Sequence, residues 1–441
     1  MRRRLVILAI PLIVGQLGAI LQSFADTIMV GQYGTLELSA SGFVNQVFNL
    51  VIYFLLGISY GATPVIGSMY GRGDKGGVWQ TLLNSIRLGL TVSLAVVALL
   101  VLFYFKIDCL GQPVELLPFI RPYFLLQLAS MPTLAIFNAA KQYYDAVGDT
   151  RTPMWVMLAA NMLNIVLNYL LIFGTFGCPE WGLTGAGVAT LAARFSMMAA
   201  MLWLLWKKRK ANSTSSDTMI RPRIEGSQMA LLALGLPIAI QLCLEASSFN
   251  ISALFMGWLG VAPLAAHQVM CTISTLYFQV VYGIGAAASV MVSQAHGRND
   301  WNTVRLTVKT AYVMSLVSAF TLVSITAIAF QPISSLFTTS QEVKDVLASL
   351  LPLLFIYLLG DCTQILFANV LRGLGAVRQM MIHAFIAYIV VSLPLSYILA
   401  FPCGMGSVGV WCGMPVGLTT AGILFWTEYR RNMKVLTATN K

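Results

Sequence analysis

The sequence predicts an all-α polytopic membrane protein, with twelve transmembrane helices in two six-helix bundles related by a parallel internal repeat. Three observations predict this class: the composition, the regular recurrence of apolar runs, and a correspondence between the two halves. The chain has 441 residues, of which 58% are hydrophobic and only 10% are charged. Because a soluble protein carries about 25% charged residues, lipid must cover much of this surface.

The apolar runs are each long enough to cross a bilayer, which takes about 20 residues. They are continuously apolar rather than alternating, which favours helices over a barrel. The first run continues past the length of a signal-peptide core, so we expect it to be a retained helix. The twelve runs lie near residues 5–30, 43–66, 80–105, 116–140, 153–174, 183–206, 229–256, 263–292, 303–330, 346–370, 379–400 and 405–427.

The net charge of +11 does not indicate a nucleic-acid partner, because the basic residues are distributed according to the predicted spans. Most of the 27 Lys and Arg residues, Arg372 and Arg378 among them, lie at span ends that share a side with the N-terminus, whereas Arg194 lies inside a run. This is the positive-inside pattern. It predicts a multi-pass protein of the plasma (inner) membrane with both termini in the cytoplasm.

The two halves correspond at an offset of 226 residues, which aligns Pro11 with Pro237 and Gly31 with Gly257. Each half holds six spans, and an even number gives both halves the same orientation, a plan that transporters use. We therefore expect an N-terminal bundle at 1–206, a cytoplasmic linker at 207–227 and a C-terminal bundle at 228–441. The other matching segments are GRGD (71–74) with GRND (297–300), GDTRTP (148–153) with GAVRQM (375–380), and LNYLLIF (167–173) with LSYILAF (395–401).

Of sixteen acidic residues, only Asp26, Glu245 and Asp361 lie well inside the predicted spans. An ionisable side chain at the bilayer centre costs roughly 2.5–3.5 kcal/mol on insertion scales, so such residues usually face a polar interior. The alternative is a carboxylate that only holds neighbouring helices together. Three acids without a lysine at matching depth favour an ion or proton path.

Polar residues share helix faces with these acids, because side chains four positions apart lie on the same side of a helix. Gln22 precedes Asp26 by four positions, and Tyr357 precedes Asp361 by four. Oxygen-rich faces suit a hard cation such as sodium, while a desolvated carboxyl group suits a proton equally, so both ions stay open. The remaining polar positions are Ser248 beside Glu245, the stripe Asn161, Asn164 and Asn168, and the pair Asn45 and Asn49, and we expect Gln22, Asn45, Asn49 and Ser248 to line a substrate cavity.

Long stretches around the acids resemble the multidrug and toxic compound extrusion (MATE) family, nearest its NorM-type bacterial branch. The resemblance spans nearly the whole chain and is carried by PLIVGQLGAILQSFADTIMVG, LPIAIQLCLEASSFNISALFMGWLGVAPLAAHQV, NMLNIVLNYLLIFG, WGLTGAGVAT and LGDCTQILFANVLRGLGAVR. It implies a transporter, not an enzyme, that exchanges sodium or protons for amphipathic, often cationic drugs by alternating access. The implied partners are small organic molecules and membrane lipid. No cofactor is implied beyond the coupling ion.

The resemblance also assigns roles to particular residues. It implies a cation site, open to sodium, at Glu245 and Asp361 with Tyr357 beside it. A second site would join Asp26 to Asn164, Asn168 and Thr190. Some branches of the family have Asp where this chain has Asn168, which weakens the case for a tight cation site around Asp26 but leaves a proton possible.

Three other functions compete with this prediction. A major-facilitator transporter also has six plus six helices, but its usual loop signature is denser than GRGDKGG (71–77). A flippase for lipid-linked saccharides should line its cavity with several Arg or Lys to bind pyrophosphate. For a membrane enzyme, the three histidines, His267, His296 and His383, and the seven cysteines form no metal or nucleophile pattern. We expect a monomer.

Overall fold

The computed structural model describes residues 1–110, 113–212 and 224–438, and this part of the chain is helical without strands. Twelve helical segments among these residues are long and apolar enough to cross a membrane. They coincide with the twelve predicted runs, and most extend a few residues beyond them. The predicted fold class is therefore confirmed. Residues 213–223 of the predicted linker, with Arg221 and Arg223, lie outside the described residues.

Several spans are composite. The second span is two helices that meet at Gly61, and the eleventh contains a π-helical segment at Ile386–Ser392. The α-helices of the described chain are α1 (Arg2–Tyr33), α2 (Thr35–Tyr60), α3 (Ala62–Gly71), α4 (Lys75–Tyr104), α5 (Leu117–Val147), α6 (Arg151–Phe173), α7 (Gly182–Asn212), α8 (Gln228–Leu259), α9 (Val261–Gly297), α10 (Trp301–Ile328), α11 (Phe330–Phe337), α12 (Gln341–Leu374), α13 (Val377–Phe385), α14 (Leu393–Ala400) and α15 (Gly406–Ala438). Short 3₁₀ turns lie at Ile107–Leu110, Val114–Leu116, Thr175–Gly177 and Ile224–Gly226.

The repeated signature GRGD and GRND forms a helix start in both halves. The last residue caps the next helix: Asp74 accepts a hydrogen bond from the backbone N of Gly77 at 3.1 Å, and Asp300 accepts one from Thr303 at 3.0 Å. Hydrogen bonds from Thr303 also hold the pKa of Asp300 below its ordinary value. The third residue of each copy, Gly73 or Asn299, has a positive φ, which glycine and asparagine tolerate best.

The chain divides into two compact units, and the division falls inside two helices. The N unit comprises Val14–Ala239, and the C unit comprises Met1–Ile13 together with Ile240–Lys441. The first part of α1 therefore belongs to the C unit, where Arg4 Nη2 donates to Gln294 Oε1 at 2.8 Å. The first part of α8 belongs to the N unit.

Small residues let α2 and the start of α8 pack backbone to backbone inside the N unit. A methyl group added at Gly57 would overlap the backbone of Ala239, and one at Gly235 would lie 2.5 Å from the carbonyl oxygen of Ile58. Close approach of this kind is typical of transmembrane helix contacts.

We expect Gly57→Val to destabilise the protein by about 1–3 kcal/mol, because overpacking forces the two backbones apart. The measurement is the midpoint of thermal unfolding in detergent. Gly42→Val is the matched control: Gly42 lies on the same helix, and an added methyl group there meets nothing within 4 Å. Equal midpoints for the two variants would contradict the close packing of α2 against α8.

The π-helical segment of the eleventh span lies within the C unit and packs against α15. A π turn holds one more residue than an α turn, and such turns often occur at functional sites. The segment carries Tyr388, whose side chain is only 3% exposed. This local widening of the helix positions that side chain.

Candidate ion-coupling and substrate-binding sites

In the N unit, α1 and α6 bring Asp26 together with two asparagines. Asn168 Nδ2 donates to Asp26 Oδ1 at 2.5 Å. Both asparagine side chains are fully buried, and Thr190 of α7 is nearly so. The structure thus gathers the group that the resemblance implied, with Asn168 acting as a hydrogen-bond donor in place of a second carboxylate.

The amide of Asn164 is a second donor to Asp26. With its nitrogen turned toward the acid, that nitrogen donates to Asp26 Oδ1 at 2.8 Å and the amide oxygen accepts from the backbone N of Thr190 at 3.3 Å. Two amide donors then hold an ionised carboxylate.

Asp26 lies at the wall of a cavity of about 400 Å³ formed within the N unit. Gln22, Asn45, Asn49 and Thr190 also line it, whereas Asn164 and Asn168 are not among the lining residues. This volume falls in the range of small-molecule pockets, about 300–1,000 Å³. Three of the four residues expected to line a substrate cavity are thus found together; the fourth, Ser248, is buried in the C unit.

A guanidinium group faces the same cavity. Arg194 of α7 donates from Nη1 to Gln127 Oε1 at 2.9 Å and to Ser130 Oγ at 2.6 Å, both on α5. Its charge interacts with that of Asp26. Arg194 is one helical turn beyond Thr190, so the spacing already placed it on the site-facing side of its span.

In the C unit, Glu245 of α8 is held by side chains from two helices. Gln241 Nε2 donates to Glu245 Oε2 at 2.8 Å, and Gln364 Nε2 lies 3.5 Å from the same oxygen. Arg372 of α12 in turn donates from Nη2 to Gln241 Oε1 at 2.6 Å. The positive charge of Arg372 also attracts Glu245.

Asp361 is buried in the C unit, with 2% of its surface exposed, and its charge interacts with that of Glu245. The hydrogen bonds of the described residues include none to its carboxyl group. Gln364 Oε1 and the hydroxyl of Tyr388 are also buried without a hydrogen-bond partner in this part of the chain. Oxygen atoms left without donors are the ligands that a hard cation prefers.

Tyr357 packs in an aromatic cluster beside this group. Its ring centroid lies 6.4 Å from that of Phe249 and 5.8 Å from that of Trp411. Trp411 Nε1 donates to His267 Nδ1 at 3.2 Å, which gives this buried histidine a structural partner. Tyr357 interacts electrostatically with both Glu245 and Asp361, so it lies beside the acids as the resemblance implied.

The model of the MatE family matches the chain twice, at residues 11–170 and 237–398. The chain belongs to the MatE family. The two matches begin at Pro11 and Pro237, the pair that the internal repeat aligns, so both halves of this MatE protein fit one family pattern from equivalent starting positions.

Relatives of known name agree with the predicted NorM-type branch. This MatE protein is 32% identical to a probable multidrug resistance protein NorM of Bradyrhizobium diazoefficiens, over 95% of its own length and 91% of the relative. It is 28% identical to the multidrug resistance protein NorM of Photobacterium profundum, over 97% and 95% of the two chains. A MOP superfamily transporter from Pyrococcus furiosus has the same fold, with a TM-score of 0.88, 22% identity and coverage of 99% and 96%.

Four site residues of the MatE protein were missed by sequence reasoning. Arg194, Gln241 and Gln364 are polar side chains within apolar spans, and each lies three or four positions from a recognised residue: Thr190, Glu245 and Asp361. The helical spacing was therefore a usable signal for all three. Tyr388 had no such signal, because its position depends on the π segment.

Proposed function

We propose that this MatE protein is a cation-coupled antiporter of the inner membrane that exports amphipathic, often cationic organic compounds by alternating access, with both termini in the cytoplasm. One observation carries the proposal: the N unit holds the half-buried Asp26, and the C unit holds the half-buried Glu245 and the buried Asp361, with amide groups beside Asp26 and Glu245. None of these three acids forms an ion pair with a cationic side chain of the described residues. The names of the relatives, multidrug resistance proteins, support the substrate class.

The two units suit different coupling ions. Glu245, Asp361, Gln364 and Tyr388 together offer two negative charges and several oxygen atoms without donors, a donor set that suits sodium. Asp26 is a single carboxyl group held by amide donors, without a second carboxylate beside it, which suits a proton. A buried charge that a mobile ion can neutralise is the usual signature of an ion path in a membrane protein.

The test is transport by the purified full-length protein in liposomes, with a cationic dye and with a sodium gradient or a pH gradient imposed separately. We expect at least one gradient to drive dye movement. Asp26→Asn and Glu245→Gln should each slow that movement about tenfold or more, because they remove the charge that the ion neutralises. The control is Asp108→Asn, at an exposed carboxylate paired with Arg121.

Movement that follows neither gradient would refute the antiport proposal. Neutralised variants that transport like the parent protein would refute the role of these acids.

A further inference from the structure

We propose that the C unit holds a binding site for the phosphate of an anionic phospholipid headgroup, in a groove between the start of α10 and the end of α15. Arg305 of α10 and Lys434 of α15 are the two cations that hold this phosphate. The inference goes beyond the proposed function, because it concerns neither a transported compound nor a coupling ion. Its test measures lipid binding and not transport.

The groove is a surface cavity of about 570 Å³, whose walls are the start of α10, with the two residues before it, and the end of α15. Arg305 and Lys434 both line it, and both are exposed. Arg305 also interacts electrostatically with Tyr429 of α15, which places its charge near that helix. Asn302 and Thr437 add polar groups to the wall. The two helices thus bring two cations to one cavity.

The two cations have no carboxylate partner in the described part of the chain. The acid in the wall, Asp300, caps α10 and accepts hydrogen bonds from N and Oγ1 of Thr303 at 3.0 Å and 2.6 Å. Two cations that line one cavity repel each other unless an anion lies between them. A phosphate suits this position, because arginine matches its oxygens with a planar fork and lysine binds it as a point charge.

The helix lengths place the groove at the level of the lipid headgroups. Arg305 lies at the start of the ninth apolar run, and Lys434 lies seven residues beyond the end of the twelfth, about 10 Å along the helix. The headgroup layer is roughly 5–8 Å thick on each side of the hydrocarbon core. Trp426, which is 40% exposed and has Arg430 at 4.9 Å from its ring centroid, is typical of this interface. The two cations therefore span the layer in which lipid phosphates lie.

The N unit does not repeat this arrangement. The offset of 226 residues aligns Trp79 of α4 with Arg305, and Arg209 near the end of α7 lies over the Trp79 ring, 5.8 Å from its centroid. A cation over an aromatic face is attracted by the ring, so Arg209 has a partner within its own unit. The pair of cations in the C unit is therefore not a consequence of the duplicated scaffold.

The experiment titrates the purified full-length protein in dodecyl maltoside micelles with phosphatidylglycerol or with phosphatidylcholine, and it follows the midpoint of thermal unfolding. Phosphatidylcholine is the reference lipid, because its choline cation neutralises the same phosphate. We expect half-maximal stabilisation at a mole fraction about tenfold or more lower for phosphatidylglycerol, as charge-assisted hydrogen bonds imply. The double variant Arg305→Gln and Lys434→Gln should lose this preference by weakening phosphatidylglycerol alone.

The double variant Lys309→Gln and Arg430→Gln is the matched control. It removes the same charge from exposed positions of the same two helices, outside the groove, and it should keep the preference of the wild-type protein. Equal stabilisation of the wild-type protein by the two lipids overturns the site, and this comparison needs no variant to fold. Equal weakening in the two double variants also overturns it, because the attraction would then belong to the basic surface as a whole.

A third titration, with inorganic phosphate and no added lipid at constant ionic strength, separates a lipid headgroup from a soluble anion. We expect no stabilisation at phosphate concentrations that match the phosphatidylglycerol half-point. Stabilisation by phosphate that equals that by phosphatidylglycerol, and that disappears with Arg305→Gln and Lys434→Gln, would overturn the lipid as the source. The groove would then bind a soluble phosphate compound.

Discussion

Asp361→Asn is expected to raise the thermal stability of the protein while slowing gradient-driven transport about tenfold or more. The side chain of Asp361 is buried, receives no hydrogen bond from the described residues and lies in the field of Glu245. Leaving a buried polar group without partners costs about 1–3 kcal/mol, and more when the group is charged. Asparagine keeps the shape and removes the charge, so stability should rise as function falls, a common trade-off at functional sites.

Two measurements check this prediction: the midpoint of thermal unfolding in detergent, and dye transport in liposomes. If sodium binds at Glu245 and Asp361, replacing potassium by sodium at constant ionic strength should stabilise the wild-type protein by about 2.7 kcal/mol at one hundred times the dissociation constant. The Asp361→Asn protein should lose that gain. Asp345→Asn is the control, since Asp345 is an exposed acid on the same helix.

A lower midpoint for Asp361→Asn, together with normal transport, would show that the carboxylate is structural. An unchanged sodium response would place the sodium-binding group elsewhere.

Arg372→Gln is expected to destabilise the protein by about 2–4 kcal/mol, because it breaks a buried charged hydrogen bond and removes the positive charge that attracts Glu245. Arg372 is 5% exposed and donates to Gln241, which in turn donates to Glu245. Arg372 is therefore a positioning residue, acting on Glu245 through Gln241. Ion-driven transport should fall with the loss of that position.

A double-variant cycle tests whether Arg372 acts through Gln241. Arg372→Gln, Gln241→Ala and their combination should be strongly non-additive, both in stability and in the sodium dependence of transport. The matched control is Arg378→Gln, at an exposed arginine six positions further along the chain. Additive effects, or an Arg372→Gln protein that behaves like Arg378→Gln, would contradict the positioning role.

The number and limits of the spans could be predicted because a bilayer imposes both length and polarity on each helix. The acids could be predicted for the same reason, since a carboxylate stands out in an apolar run. The direction in which a side chain near the end of a span points could not be predicted from the sequence. Arg372 and Arg378 look alike as basic residues at one end of a span, yet Arg372 points into the C unit and Arg378 is exposed.

The partners of each acid were harder to predict than the acids themselves. Asn164 and Asn168 could be predicted from the sequence as partners of an acid, because α6 is a regular helix and its polar stripe follows the α-helical period. The position of Tyr388 beside the acids of the C unit could not be predicted, because the segment that carries it does not follow that period. In the sequence Arg194 stands out only as a charge in an apolar run, since a sequence does not show which side chains its guanidinium group contacts.

The π-helical segment also records how the two halves diverged after duplication. The offset between the halves is 227 where Gly148 aligns with Gly375, and 228 where Leu167 aligns with Leu395. One residue was therefore gained or lost between these points, in the stretch where the second half has its π turn and the first half has the regular helix α6.

The second half is one residue longer here and accommodates that residue in a wider turn, without breaking the helix. The buried Ser392, at the end of the π segment, and Ser396, beyond it, align with Asn164 and Asn168 at the offset of 228. The C unit thus has small hydroxyl groups where the N unit has an amide stripe, and Tyr388 lies within the widened turn. Positions that the duplication made equivalent therefore differ in both backbone geometry and side-chain chemistry.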